Sequence, residues 1–253
     1  MEGLDEFRKA IAKYGHFFKH ARVDKAQAIS VEEAQQAIAE RARGELDTGV
    51  GLEVNVERLA SKGLLARWAE EIGGRIGDEV GDAGRAIQAA LEGRLEEPGA
   101  RAMLLAIQAV ARAYADMLLE RGVGYEPSAR CPVCGLESRT MVKRGKWFNM
   151  VCHFCGYEWR VSDKMVCPYC GESNPVAVGA YGDRARRVML AKCHTCNSTW
   201  RVIMDETIKA PRILLPLIAL KAEQFKVFAR LGDGGGDASL EWGQVHAEGG
   251  HEE

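Results

Sequence analysis

The chain has 253 residues, of which 47% are hydrophobic and 28% charged, and its formal net charge is −2. This length is sufficient for a substantial hydrophobic core and more than one domain, so size alone does not require metal or disulfide cross-links. The near-neutral charge gives no general reason to expect a polyanion as partner.

The N-terminal residues lack the uninterrupted apolar stretch of a secretory signal. The longest apolar run, ILLPLIAL from Ile213, is too short to cross a bilayer. We therefore expect a cytoplasmic protein with no membrane partner. In a reducing cytosol, paired cysteines are more often metal ligands or redox groups than structural disulfides.

Residues 1–125 are predicted to form an all-α bundle of about five helices. Apolar residues recur there at steps of three and four, which places them on one helical face. Two such sets are Leu4, Phe7, Ile11, Tyr14 and Phe18, and Leu104, Ile107, Val110, Tyr114 and Met117.

Several residues indicate where these helices begin and end. Ser30 and Glu33 have the spacing of a capping box, which predicts a helix start at Ser30, and Asn55 is predicted to cap a helix that continues to Ile76. The glycines of IGGRIGDEVGDAG should interrupt the helical pattern. His16 and His20 are four residues apart, but we assign them no role because no third ligand is near in sequence.

The helical pattern ends at Gly122, Gly124 and Pro127, so a second domain should begin near residue 129. We predict a fold of α plus small β type, with a bundle at 1–125 and tandem four-cysteine ribbons at 129–164 and 165–206. A C-terminal helix is predicted over 210–230, followed by a disordered tail at 231–253 that is rich in glycine and acidic residues.

The second half of the chain contains a duplicated module. The words CHFCGYEWRV and CHTCNSTWRV begin at Cys152 and Cys193, and each lies downstream of a CPVCG or CPYCG motif. All eight cysteines belong to these four C-x-x-C pairs: Cys131 and Cys134, Cys152 and Cys155, Cys167 and Cys170, Cys193 and Cys196.

The spacing of the pairs is typical of four-cysteine metal sites. The first module reads C-x2-C-x17-C-x2-C, and the second has 22 residues between its pairs. Two thiolates of each tight C-x-x-C turn, or knuckle, point at one ion, so two knuckles complete a tetrahedron. We predict two metal ions per chain, iron or zinc, since four sulfur ligands suit both.

Each knuckle should end in a residue with positive φ, which Gly135, Gly156 and Gly171 allow and Asn197 tolerates. We expect the first pair to join the second and the third to join the fourth. The Trp-Arg-Val motif follows the second knuckle of each module in the same register. Duplication of a complete ribbon explains this repeat, and an interleaved cross-brace does not. Trp159 and Trp200 should cover the metal sites.

Strands are predicted between the knuckles, with a turn at 144–146. Residues 130–201 carry twelve Lys and Arg and five acids, a surplus of +7. Two four-thiolate sites of about −2 each reduce it to about +3, so much of this basic charge balances sulfur. The basic stretch 182–187 is interpreted as a solvated hairpin tip, with a docking loop as the alternative.

Catalysis is not indicated by the sequence. It has no phosphate-binding glycine loop, no G-x-S-x-G elbow and no H-E-x-x-H motif. With every cysteine assigned to a metal site, none is left as a nucleophile. His153 and His194 lie at knuckle positions that point away from the ion, so they are not counted as ligands.

The order of these parts resembles the formate dehydrogenase accessory protein family, FdhE. The resemblance rests on CHFCGYEWRVSDKMVCPYCG between two four-cysteine modules, with a helical region before them and APRILLPLIALKAEQF after the last knuckle. It implies a non-catalytic maturation factor with rubredoxin-like metal modules. Such a factor is needed to form active molybdenum- or tungsten-dependent formate dehydrogenase, and its partner would be the catalytic subunit. The eight cysteines would be its metal ligands.

Two other functions remain open. A zinc-ribbon protein of this kind could bind nucleic acid, although a nucleic acid is not the partner that we expect. A rubredoxin-like electron carrier would use iron in the same sites.

Overall fold

A computed structural model of the protein describes residues 4–14, 24–181, 188–204, 206–208, 210–219 and 226–230. Six helices precede the first strand within these ranges, where the sequence predicts about five. They are α1 Leu4–Tyr14, α2 Lys25–Arg43, α3 Leu52–Ser61, α4 Leu64–Ile76, α5 Ala83–Leu91 and α6 Ala100–Leu119.

The start of α2 differs from the predicted capping box. The helix begins at Lys25, because the Asp24 carboxylate accepts hydrogen bonds from the N–H groups of Ala26 and Gln27. Ser30 therefore lies inside the helix. The Glu33 carboxylate contacts Arg75 at 3.3 Å and does not return to the helix start. The prediction of a start at Ser30 was wrong because an aspartate six residues earlier is an equally good cap.

Asn55 was also predicted wrongly as a cap. It lies inside α3, is 1% exposed, and its side chain accepts from Asp47 N–H and donates to Asp47 O, both at 2.9 Å. The amide thus fixes the loop before the helix. Gly63 and Gly77 adopt left-handed conformations directly before and after α4. The helix predicted to continue to Ile76 is therefore divided into α3 and α4 at Gly63, and α4 ends at Gly77, among the glycines that were expected to interrupt the helical pattern.

Helix α6 is the central helix of the bundle, and Asp78 caps its start. Its carboxylate accepts from the N–H groups of Gly99 and Ala102, each at 3.0 Å. Gly99 has φ of 77°, and a Cβ there would lie 3.0 Å from Val80 Cα, so glycine is required. Among the described residues, α6 alone is long and apolar enough to cross a membrane, and 56% of its most apolar window is buried within the protein.

The second half of the chain forms one seven-stranded sheet with order β3-β2-β1-β6-β5-β4-β7. Its strands are β1 Thr140–Arg144, β2 Trp147–Val151, β3 Glu158–Ser162, β4 Val176–Tyr181, β5 Val188–Lys192, β6 Thr199–Ile203 and β7 Lys226–Arg230. The predicted turn at 144–146 joins β1 to β2, with φ of 57° at Gly145. Each module contributes an antiparallel three-stranded ribbon.

The two ribbons are fused through a parallel pairing of β1 with β6, in which Thr140 lies opposite Arg201. One face of the sheet packs with α2 to α6 in a single buried cluster that includes Met141, Trp159 and Trp200. The other face packs with α1 and a C-terminal helix in a second cluster. The fold is therefore an N-terminal group of helices followed by two zinc-ribbon-like modules within one sheet.

The C-terminal region departs from the predicted helix over 210–230. A 3₁₀ turn at Arg212–Leu214 leads into a short helix, α7 Leu215–Ala219, and Lys226–Arg230 is strand β7, paired antiparallel with β4. The open edge of β4 takes up this segment, and sequence periodicity does not report such a partner. His16, His20, the stretch 182–187 and the tail 231–253 lie outside the described residues.

Candidate metal centres

The four knuckles share one backbone geometry. In the first, the N–H of Cys131 donates to Leu136 O at 2.8 Å and the N–H of Gly135 donates to Cys131 O at 2.9 Å. The hydrogen bond from the N–H of the first cysteine to the carbonyl oxygen five residues later recurs in all four knuckles. The residue after the second cysteine has positive φ in every case, as predicted: Gly135 72°, Gly156 68°, Gly171 78° and Asn197 59°.

These knuckles bring the eight sulfur atoms together in two groups of four, with the sequential pairing that the sequence predicts. The groups are Cys131, Cys134, Cys152 and Cys155, and Cys167, Cys170, Cys193 and Cys196. Within each group all sulfur atoms lie within 4.8 Å of one another. Each group could therefore hold one metal ion.

The sulfur separations fit a tetrahedral ion. A Zn–S bond of about 2.3 Å places the sulfurs of a regular tetrahedron about 3.8 Å apart. Across the knuckles of the first group the separations are 3.6 Å for Cys131 to Cys155 and 3.5 Å for Cys134 to Cys152. Both corresponding separations in the second group are 3.6 Å. Iron and zinc both satisfy this geometry.

Backbone amides and neighbouring thiols polarise the sulfurs. The N–H of Phe154 lies 3.4 Å from Cys152 Sγ. A hydrogen bond from Cys131 holds the pKa of Cys134 well below its usual range, and the same bond raises the pKa of Cys131. Hydrogen bonds from Ser198 lower the pKa of Cys196 to about 6. Some thiols of each group thus favour the ionised form, and metal binding would release the remaining protons.

The two predicted tryptophans are fully buried in the same cluster as the five buried cysteines. Trp159 Nε1 donates to Ser128 O at 2.9 Å, whereas Trp200 Nε1 has no acceptor among the described residues. Tyr169 packs beside Trp200 with ring centroids 6.3 Å apart, and its hydroxyl donates to Ser138 O of the other ribbon at 3.2 Å. Burial raises the pKa of Tyr169 to about 12.

The two groups differ in burial. Cys131, Cys152 and Cys155 are at most 2% exposed, and Cys134 is half-buried. In the second group, two cysteines are buried and two are exposed. The exposed ones are Cys170 and Cys196, the second cysteines of their knuckles. Identical local motifs therefore have unequal access to solvent.

Helix α6 lies directly against the first group. Gln108 Nε2 donates to Phe154 O at 3.0 Å, and Gln108 Oε1 accepts from Gln35 Nε2 at 2.9 Å. Close by, Arg112 forms a two-pronged ion pair with Glu32, with N–O distances of 2.6 and 2.8 Å. Their side chains are 15% and 5% exposed, so this ion pair is largely removed from solvent.

A C-terminal contact completes this cover. Arg212 pairs with Asp116 of α6. A cavity of about 20 Å³, large enough for one water molecule, lies between these residues, Cys155 and Gly156. The knuckle at residues 152–155 thus lies between α6 and the segment before α7.

One polar cluster on the sheet was not anticipated. Glu158 is 8% exposed and accepts from Asn149 Nδ2 at 2.6 Å. Beside it, Lys146 and Arg160 lie 5.2 and 5.4 Å from the Trp147 ring centroid. The sequence gives one indication of this polar cluster: Glu158 precedes the first Trp-Arg-Val motif, whereas Thr199 precedes the second. His153 and His194 are exposed, and neither belongs to a sulfur group, as expected.

No protein-family model and no curated protein matches the chain. Among solved structures, it is similar to the crystal structure of the FdhE protein from Pseudomonas aeruginosa, with 17% sequence identity and a TM-score of 0.49. The similarity covers 87% of this chain and 89% of that chain.

Proposed function

We propose that this protein is a non-catalytic, cytoplasmic accessory factor needed to form active molybdenum- or tungsten-dependent formate dehydrogenase. It holds one metal ion in each group of four cysteines and binds the catalytic subunit of that enzyme. The observation that carries the proposal is the pair of four-sulfur groups built into one sheet that packs on a helical bundle. The sequence resemblance to the FdhE family implies a helical region followed by two four-cysteine modules, and this supports the proposal.

The use of the cysteines supports binding rather than catalysis. All eight lie in the two sulfur groups, and their separations suit a closed four-coordinate ion with no open position for a substrate. The ions would then stabilise the knuckles, because in such small modules the free energy of metal binding is free energy of folding.

The client is expected to contact the surface that joins the helices to the ribbons. Tyr125 lies on the segment between α6 and the first knuckle and is 63% exposed, and Leu136 beside that knuckle is 43% exposed. These two exposed apolar side chains lie near the first ribbon, and they are the residues that we expect the client to contact. An accessory factor must release its product, so we expect an interface at the small, polar end of the range.

The decisive experiment is deletion of the gene in the native organism. Formate dehydrogenase activity should be lost while the transcript and the apo-subunit remain detectable. The wild-type gene should restore activity, and a copy with Cys152→Ser and Cys155→Ser should not. Normal formate oxidation in the deletion strain would end this proposal.

An anaerobic pull-down of the tagged protein tests the partner directly. The catalytic subunit should be recovered, and Tyr125→Ala or Leu136→Ser should reduce its recovery without changing metal content. Leu91→Ser is a matched control, since Leu91 is 67% exposed but lies on α5. Equal recovery with all three variants would remove this surface from the proposal.

A nucleic-acid-binding zinc-ribbon protein is the second candidate, favoured by the two cations at the Trp147 ring. Binding of RNA or DNA that weakens with salt would support it, because phosphate contacts release counterions. A third candidate is an electron carrier with rubredoxin-type iron. Visible absorption of the anaerobically purified protein, bleached by reductant, would support that function.

A further inference from the structure

We propose that the two centres have different roles. The second centre, formed by Cys167, Cys170, Cys193 and Cys196, exchanges its metal ion with external thiolates, whereas the first centre keeps its ion. The proposal rests on metal binding by both sulfur groups and not on the identity of the client enzyme.

Exposure of the sulfur ligands is the first observation. Both second-position cysteines of the second centre, Cys170 and Cys196, are exposed. Their counterparts in the first centre are Cys134, which is half-buried, and Cys155, which is 2% exposed. An incoming thiolate can therefore reach the ion between Cys170 and Cys196 without local unfolding.

The cover over the first centre is the second observation. Gln108 of α6 donates to Phe154 O between the two cysteines of one knuckle. The ion pair of Arg212 with Asp116 closes the region next to Cys155, where the remaining cavity is about 20 Å³. This space holds about one water molecule, so a thiol-bearing ligand cannot reach the first ion past Cys155 while the helices pack on the sheet.

The second centre has a thinner cover. Among the described residues, a hydrogen bond from Thr195 Oγ1 to Glu172 Oε2 links its two knuckles, and this bond is exposed and 3.2 Å long. Tyr169 shields the side that faces the other ribbon through its hydroxyl bond to Ser138 O. Within the part of the chain that the structure describes, Cys170 and Cys196 remain exposed on the other side.

The exchange step is a ligand substitution without electron transfer. With an ion bound, the sulfur of Cys170 or Cys196 would be replaced as a ligand by the external thiolate. The released cysteine thiolate would take up the proton that the incoming thiol lost on ionising. Repetition would transfer the ion to the external ligand, and a cysteine-bearing partner could accept it or supply it.

The test uses the full chain loaded with two zinc ions, with reduced glutathione as the attacking thiol and a chromogenic indicator that counts released zinc. We expect one ion to leave at a rate proportional to glutathione concentration. The other should leave at least about tenfold more slowly, which is the scale on which surrounding groups tune metal sites. Cys170→Ser should remove the fast phase and its counterpart Cys134→Ser the slow phase.

Several results would overturn the inference. These are release of both ions in one phase, a fast phase that is independent of glutathione, loss of the fast phase in Cys134→Ser, and failure of the chain to bind zinc. A second measurement does not depend on folding of the variants. During exchange, iodoacetamide should label Cys170 and Cys196 of the wild-type protein first, and equal labelling of all eight cysteines would contradict the proposal. Neither measurement involves formate dehydrogenase, so failure here is distinct from failure of the proposed function.

Discussion

The buried ion pair between Glu32 of α2 and Arg112 of α6 gives a sharp stability prediction. Its shorter N–O distance is 2.6 Å, and the two side chains are 5% and 15% exposed. Replacing Glu32 with Gln keeps the shape but removes the carboxylate from beside the guanidinium. Gln35 Oε1 remains 3.4 Å from Arg112 and one amide oxygen can still accept. We therefore expect the low end of the cost of breaking a buried pair, about 3 kcal/mol.

The matched control is the ion pair between Arg41 and Glu71. It has the same 2.6 Å separation, but its side chains are 50% and 34% exposed. Glu71→Gln should therefore cost less than about 1 kcal/mol. The double variant Glu32→Met and Arg112→Met should be nearly neutral, because apolar side chains of similar volume replace both charges.

The assay is unfolding in urea, monitored by the circular dichroism signal of the helices. The zinc concentration is kept fixed because bound metal itself changes the free energy of unfolding. A loss of about 3 kcal/mol corresponds to a melting temperature about 6–12 °C lower for a chain of this size. A cost for Glu32→Gln no greater than that of Glu71→Gln would refute the argument from burial.

Three further predictions concern single residues. Gly171→Ala places a side chain at φ of 78° and should destabilise the second ribbon by about 1–2 kcal/mol. Asn197→Gly should be neutral or stabilising, and equal zinc affinity of the two variants would contradict this reasoning. Asp78→Ala removes the cap of α6 and should cost about 1–2 kcal/mol in urea unfolding, and an unchanged midpoint would show that the cap is dispensable. Burial raises the pKa of Tyr114, so at pH values above about 10 the folded state keeps the phenol proton that the unfolded chain loses. The free energy of unfolding should therefore fall as pH rises above about 10, and Tyr114→Phe should make this fall less steep.

The knuckles could be predicted from the sequence because their geometry is local. The C-x-x-C spacing and the residue after each second cysteine determine the turn, and the positive φ at Asn197 follows from its place in the repeated word. The pairing of modules followed from the register of Trp159 and Trp200. The helix starts were less certain, because Asp24 and Ser30 carry equivalent capping groups six residues apart.

Features that depend on distant contacts were not predictable. The parallel pairing of β1 with β6 joins segments about sixty residues apart, and the pairing of β7 with β4 converts a stretch with helical periodicity into a strand. The unequal burial of the two centres also depends on contacts between residues that are distant in sequence. Cys155 and Cys196 occupy the same position in their motifs, but α6 and the segment before α7 pack beside Cys155 while Cys196 is exposed.

The junction of β1 with β6 is a contact that could in principle repeat. It joins the first strand of one ribbon to the last strand of the next, which is a head-to-tail contact that leaves a further acceptor edge at β4, the counterpart of β1. A third copy could in principle add there, and copies of other chains could add in the same way. Strand β7 occupies this edge in the antiparallel direction, and at the opposite end Tyr125 bridges to Arg160 of β3. The chain thus terminates its own repeat at both ends, which protects two otherwise open sheet edges from indefinite self-association.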